Sequence, residues 1–203
     1  MTDTEEEQGR SCPCAVASDG RRGFLAGTVA AAAGVLLRGT PALSAAETAA
    51  AAPPQPGDLL TYQAAARRGP RLRPEDLKET ARQVMALPVD PASGVVRDGS
   101  RHNAVLLTRF DPSALDAQTA ARAADGVVAY SSICTHDACT VSSWDPKTLH
   151  YVCPCHQSRF DPRAGGVLVS GPAYRPLPAL PLKLQDGLLV VAEAFTARVG
   201  GGR

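Results

Sequence analysis

Short apolar runs separated by turn residues dominate the chain from about residue 95 onward. Candidate strands are Ala104 to Thr108, Val127 to Ser131, His150 to Cys153, Val167 to Val169, Leu182 to Gln185 and Leu188 to Ala192. Asp125-Gly126 and Gly165-Gly166 are suited to turns, and Asp186-Gly187 between two apolar runs is a hairpin signal. One helix is predicted. Pro74, Glu75 and Asp76 suit a first turn, Leu77, Ala81, Val84 and Met85 recur at helical spacing, and Pro88 closes the run. Many short strands and a single short helix predict an all-β fold of stacked or barrel-like antiparallel sheets. Helices are too few for an alternating α/β architecture, and no internal repeat, P-loop or dinucleotide fingerprint is present.

The N-terminal quarter reads differently. A polar, acidic opening precedes Arg21-Arg22-Gly23-Phe24-Leu25, an alanine-rich apolar run to Leu37, and small residues from Pro41 to Ala52. That order resembles a twin-arginine export signal, in which Arg21 and Arg22 engage the translocase. From Phe24 to Leu37 is 14 residues, short of the roughly 20 that span a bilayer. Cleavage is therefore expected, although an uncleaved signal acting as an anchor stays open. The expected organisation is a signal over 1–45, an Ala/Pro/Gly linker without fixed structure over 46–57, and one domain over 58–203. Twin-arginine export carries folded proteins, which suits a cofactor inserted before export. The periplasmic destination is oxidising, where disulfides persist.

Charge narrows the function. With 21 basic and 20 acidic side chains the chain is close to neutral, so no nucleic-acid groove or polybasic membrane patch is expected. The chemistry is concentrated instead. The 23 residues from Cys134 to His156 hold four of six cysteines and three of four histidines. Cys134 and His136 form C-x-H, and Cys153 and His156 form C-x-x-H. Two thiolates and two neutral imidazoles suit either one zinc ion or a [2Fe-2S] cluster with one cysteine-bound and one histidine-bound iron. Composition leaves both open. Cys139 and Cys155 flank these motifs, and a bond between them would clamp the two loops, closing a segment worth about 3 kcal/mol in the chain-entropy account. His150, within an apolar run, and His102 read as ordinary surface histidines. Cys12 and Cys14 fall in the signal and have no assigned role.

Cys134-Thr135-His136 with Cys139, then Cys153-Pro154-Cys155-His156 with Ser158, resembles the Rieske iron–sulfur family, and Gly171-Pro172-Ala173 resembles that family's cluster-covering proline loop. The resemblance covers roughly residues 125–192. It implies three stacked antiparallel sheets with a cluster-binding subdomain, and Cys134 and Cys153 on one iron with His136 and His156 on the other. It also implies a Cys139–Cys155 disulfide, and Ser158, Phe160, Gly171 and Pro172 as the cluster's surroundings. Imidazole ligands leave such a cluster less negative than four thiolates would, which raises its potential.

Several positions depart from the quinol-oxidising members. Asp137-Ala138 stands where the family commonly has Leu-Gly, and an acid resists desolvation against an apolar pocket. Gln157 replaces a common glycine, so Asp137 and Gln157 are expected at a polar docking tip. Ser158 matches, Phe160 replaces a tyrosine whose hydroxyl bonds a ligand sulfur, and Tyr174 replaces the second proline of the cover loop. Losing the tyrosine donor lowers the expected potential below the fully hydrogen-bonded type. The leading expectation is a periplasmic one-electron carrier, the small subunit of a larger oxidoreductase, similar to exported small subunits such as that of arsenite oxidase. The segment Leu177 to Leu182 adds modestly to that likeness. Its partners would be the larger redox subunit or membrane complex and a downstream acceptor such as cytochrome c. One alternative is the iron–sulfur subunit of a membrane quinol–cytochrome c reductase. The other is a structural zinc or disulfide-stapled module. No separate mononuclear iron site is visible, so the chain is not expected to be catalytic alone.

Overall fold

Alternate residues of Val105–Arg109 and Val127–Ser131 enter two different cores, and this double burial organises the molecule. The computed structural model describes residues 44–202 apart from 67, 68 and 81. Residues 1–43 of the expected export signal, with Arg21, Arg22, Cys12 and Cys14, lie outside the described residues, as does Ala81 of the predicted helix. The elements are α1 (Ala45–Ala51), β1 (Leu59–Tyr62), β2 (Val84–Val89), β3 (Val105–Arg109), α2 (Ala117–Ala120), β4 (Val127–Ser131), β5 (Ser143–Asp145), β6 (His150–Val152), β7 (Arg159–Asp161), β8 (Val167–Ser170), β9 (Leu182–Gln185) and β10 (Leu188–Val191). The fold is mostly β, as the apolar pattern predicts.

Two antiparallel ladders form among the described residues, one ordered β4-β3-β2-β1-β10-β9 and one ordered β5-β6-β7-β8. The resemblance implied three layers, but six strands here share one continuous ladder that curls. Its ends meet where the Leu-Pro segment before β9 bonds the outer edge of β4. Ser131 N–H donates to the Pro178 carbonyl at 2.8 Å, and Leu180 N–H donates to Ala129 at 2.9 Å. Pro178 offers only its carbonyl to this seam, so its missing N–H leaves no gap. Closure removes the exposed edges a flat sheet would carry.

Inside the curl, Val105, Leu107, Val127 and Ala129 pack with Leu60, Ala86, Leu180, Leu189 and Val191. On the opposite face of the same two strands, Leu106, Val128 and Tyr130 pack with Tyr151, Phe160, Cys134 and Cys153. A wall buried on both sides needs continuous apolar residues instead of alternation, which explains the sequences VLLTR and VVAYS. It also seats the four-stranded sheet, which the cysteine loops adjoin, against the larger one. The three Gly turns behave as their sequence predicts, with both central residues at positive φ in Asp125-Gly126, Gly165-Gly166 and Asp186-Gly187. The last closes the β9–β10 hairpin, pairing Gln185 with Leu188.

The predicted helix from Pro74 to Pro88 is a correction. Only Pro74–Asp76 turns helically, as a single 3-10 turn, and Val84–Val89 is strand β2 between β1 and β3. The helical spacing of Leu77, Val84 and Met85 is coincidental, because Leu77 belongs to the loop and β2 has its own partners. Pro88 sits inside the strand without harm. Its carbonyl accepts from Arg97 N–H at 2.9 Å, so its polar edge faces the 90–97 hairpin and no β1 bond needs its absent N–H.

The expected linker over 46–57 is also structured. Ser44 caps α1, with Glu47 N–H donating to Ser44 Oγ at 3.2 Å and Ser44 N–H to Glu47 Oε2 at 2.8 Å, a reciprocal box that favours the helix. Arg97 then anchors the segment through a two-point ion pair with Asp58 at 2.5 and 2.8 Å and a bond to the Ala49 carbonyl at 3.1 Å. Asn103 Nδ2 donates to Ala52 at 2.8 Å. Alanine content alone could not disclose these distant partners.

Candidate metal centre

The chemistry lies on two loops, one between β4 and β5 and one between β6 and β7. They are built alike. In the first, Cys134 N–H donates to Cys139 O at 2.8 Å and Ala138 N–H to Cys134 O at 3.1 Å. In the second, Cys153 N–H donates to Ser158 O at 2.9 Å and Gln157 N–H to Cys153 O at 2.9 Å. Each loop therefore closes on the fifth residue after its first cysteine. Each also puts the fourth residue in the left-handed region, Ala138 at φ 51° and Gln157 at φ 58°. These are the two positions at which the family resemblance has glycine, and left-handed backbone is the reason glycine suits them. This internal match is a structural repeat that the amino-acid sequence does not advertise.

The disulfide Cys139–Cys155 joins the loops, with Cα atoms 6.6 Å apart. Cys134 and Cys153 are free thiols and buried. The sulfurs of Cys139, Cys153 and Cys155 lie within 4.8 Å of one another, but two of them are tied up in the disulfide, so only Cys153 of that trio remains a donor. Burial pushes the Cys134 thiol up to about 11, with the Cys153 thiol adding to the rise while the backbone N–H groups of His136 and Asp137 oppose it. Two adjoining thiols under apolar cover favour the thiolate state once a cation lies between them. The imidazoles converge as well. His136 Nδ1 and His156 Nδ1 are 3.1 Å apart, with the rings edge-to-face at a centroid distance of 4.7 Å. Paired Nδ1 atoms leave Nε2 on the far side of each ring. The residues fit a group that takes two sulfurs on one side and two imidazole nitrogens on the other.

The surroundings come from a third loop, between β8 and β9. Gly171 is at φ +99°, and a Cβ there would lie 2.5 Å from Ser158 Cα, so the cover loop lies directly on the second cysteine loop. Ser158 is buried and its Oγ accepts from Ala173 N–H at 3.2 Å. Pro172, beside Gly171, is exposed at the tip. Phe160 is fully buried in β7, in the same apolar cluster as Cys134 and Cys153. Asp137, Gln157, Pro154 and His156 are exposed, while His136 is half-buried with the Tyr174 ring 5.7 Å away. Gln157 folds back, its Nε2 donating to Pro154 O at 3.2 Å.

Some neighbours were not visible in the sequence. Thr135 is fully buried and its hydroxyl donates to Arg175 O at 2.6 Å; its place inside C-T-H is the only sequence signal for it. Arg101 donates to the Ala138 carbonyl, from a segment with no motif at all. His150 is less exposed than expected, its side chain 13% accessible with Nε2 3.8 Å from Asp161, and it takes no part in the centre.

Two buried thiols and two converging imidazoles, on disulfide-linked loops at the end of a β domain, define an iron–sulfur electron-transfer site. Residues 101–181 are a Rieske [2Fe-2S] domain. Among similar proteins, the cytochrome bc1 complex Rieske iron–sulfur subunit of Streptomyces lividans is 38% identical over 99 residues, covering 48% of this chain and 58% of that protein. The corresponding subunit of Corynebacterium diphtheriae is 36% identical over 151 residues, 64% of this chain and 37% of that one. A candidate respiratory nitrate reductase Rieske subunit of Haloferax mediterranei is 45% identical over 78 residues, 38% of this chain and 34% of that one. The match thus spans little more than half of the first of these relatives and about a third of the other two. The Cys/His donor set is that of a Rieske-type [2Fe-2S] centre.

Proposed function

We propose that this protein transfers single electrons as the iron–sulfur subunit of a membrane quinol–cytochrome c reductase, with Cys134 and Cys153 holding one iron and His136 and His156 the other. The observation that carries the reading is the convergence of two matched loops that bring two thiols and two Nδ1 atoms together. The bc1-type relatives support the quinol complex over the other carrier reading. A [2Fe-2S] cluster held there takes up and releases one electron. The chain's own residues do the rest. Cys134 and Cys153 sit in apolar cover that excludes water, and the cover loop packs on Ser158. His156 reaches solvent, where its Nε2 can hold or release a proton beside a partner. Asp137 and Gln157 frame that tip as the docking rim for the larger redox subunit and an acceptor such as cytochrome c. Export by the twin-arginine route to the periplasm fits folding around a cofactor. Among the described residues no helix is long and apolar enough to cross a membrane.

One observation favours a second reading, the small subunit of a different oxidoreductase. Asp137 is exposed at the position where an apolar contact would be needed, and the nitrate reductase relative belongs to another enzyme class by its name. An EPR-monitored redox titration near pH 7 and near pH 9 tests the shared core. A rhombic signal with average g below 2 and a midpoint that falls at the higher pH is the expected result. A folded, metal-loaded protein without that signal, or with a pH-independent midpoint, would point to zinc or another cluster type. Co-purification from the membrane fraction with cytochrome b and c subunits then separates the two complexes.

A further inference from the structure

The two ligand loops are alike in backbone but not in cover. The loop carrying His156 meets the cover loop at Ser158, through Gly171 and Ala173. The loop carrying His136 has a second neighbour, the segment 198–202 that follows β10. Gly202 N–H donates to His136 O at 3.4 Å. Gly201 lies so close that a Cβ would stand 2.7 Å from His136 O and 2.8 Å from Ala138 N. Only a residue without a side chain fits that contact.

Arg175 joins this strap to the site. Its Nη2 donates to Gly200 O at 2.6 Å, while its own carbonyl accepts from the buried Thr135 hydroxyl at 2.6 Å. One residue of the cover loop therefore holds the strap with its side chain and the His136 loop with its backbone. Its second amino nitrogen, Nη1, is buried and has no hydrogen-bond partner among the described residues. Arg175 forms no carboxylate ion pair among them either, and Arg198 of the strap places a second positive charge near it.

We propose that residues 198–202 are a second cover of the redox tip, dedicated to the His136 loop, and that Arg175 is the positioning residue that holds it and lends a positive charge to that side. The proposal rests on the cluster reading for its effect on potential, but the strap itself can be tested without a cluster. A fixed cation near the site stabilises the more negative, reduced state and raises the midpoint. The strap caps the His136 carbonyl and packs against the Ala138 nitrogen.

Hydrogen exchange on cluster-free and cluster-loaded protein is the direct test. Gly201→Ala and Arg175→Gln each release the strap, and the Gly202 amide, which loses its bond to the His136 carbonyl, and the Ala138 amide packed against it are expected to exchange about tenfold faster, the loss of one typical hydrogen bond. Amides of residues 154–157 should keep their rates. In loaded protein Arg175→Gln lowers the midpoint, and Arg175→Lys, which keeps the charge, restores it. Equal acceleration of both loops, no acceleration of either, or an equal drop in potential for Gln and Lys would overturn the proposal. Failure to bind any cluster would count against the cluster reading alone, since the exchange comparison in cluster-free protein still decides the strap.

Discussion

Phe160 is fully buried beside the apolar shell of the two free thiols, so a hydroxyl added to its ring would enter a water-poor space. Phe160→Tyr is expected to raise the midpoint. A hydrogen bond to a charged group of about 1.5 kcal/mol corresponds to roughly 60 mV for one electron, measured by protein-film voltammetry on both proteins. An unchanged midpoint with an intact cluster would remove Phe160 from the account. Ala138 offers a second residue-level test. Its φ of 51° costs an L-residue about 1–2 kcal/mol, partly offset by the extra chain entropy of glycine. Ala138→Gly should stabilise the fold by about 0.5–1 kcal/mol in urea unfolding. At this scale the sequence was most legible: C-x-H and C-x-x-H place the ligand types directly, because each spacing fits one tight loop. Arg101 and Arg175 were not legible, since backbone carbonyls accept from any arginine and only the fold brings these two to the His136 loop.

Between elements, the four-stranded sheet is clamped by charge and by a covalent bond. Asp145 on β5 accepts from Arg159 on β7 at 2.6 Å, across β6. That guanidinium, helped by Lys147 N–H, pulls the Asp145 carboxyl down to about 2. A carboxyl depressed in the folded state contributes stability above its ordinary value near 4, and that contribution is lost as pH falls toward 2. Asp145→Asn should therefore flatten the pH dependence of stability between about pH 4 and pH 2, followed by far-UV circular dichroism. The disulfide closes a separation of 16 residues, worth about 3 kcal/mol in the chain-entropy account. Replacing both Cys139 and Cys155 with serine should lower the urea midpoint of the cluster-free protein accordingly. Strand β4 and strand β9 have the boundaries their apolar runs predict, because a wall or hairpin fixes both ends. Strands β5 and β7 escaped notice because each holds a single apolar residue, Trp144 or Phe160, between polar ones, and β2 was disguised by Pro88 and a chance helical spacing.

Across the whole molecule, the Arg97–Asp58 pair ties α1 and its following segment to the hairpin after β2, with side chains 9% and 2% exposed. Removing one member strands the other charge in the interior, so Arg97→Ala should cost about 3–5 kcal/mol, read from chemical unfolding. The double change Arg97→Met with Asp58→Asn should recover much of that loss, because no uncompensated charge remains. The sequence could not foretell this tie, since its partners stand 39 residues apart. The paired ligand loops have a consequence of another kind. Each is pinned by its own backbone bonds, and the two are cross-linked, so the nuclei around the centre have little room to shift when its charge changes by one. Marcus reorganisation within the protein is then small, and the rate of electron exchange is governed mainly by distance to the partner and by the water that must leave or reorient at the tip.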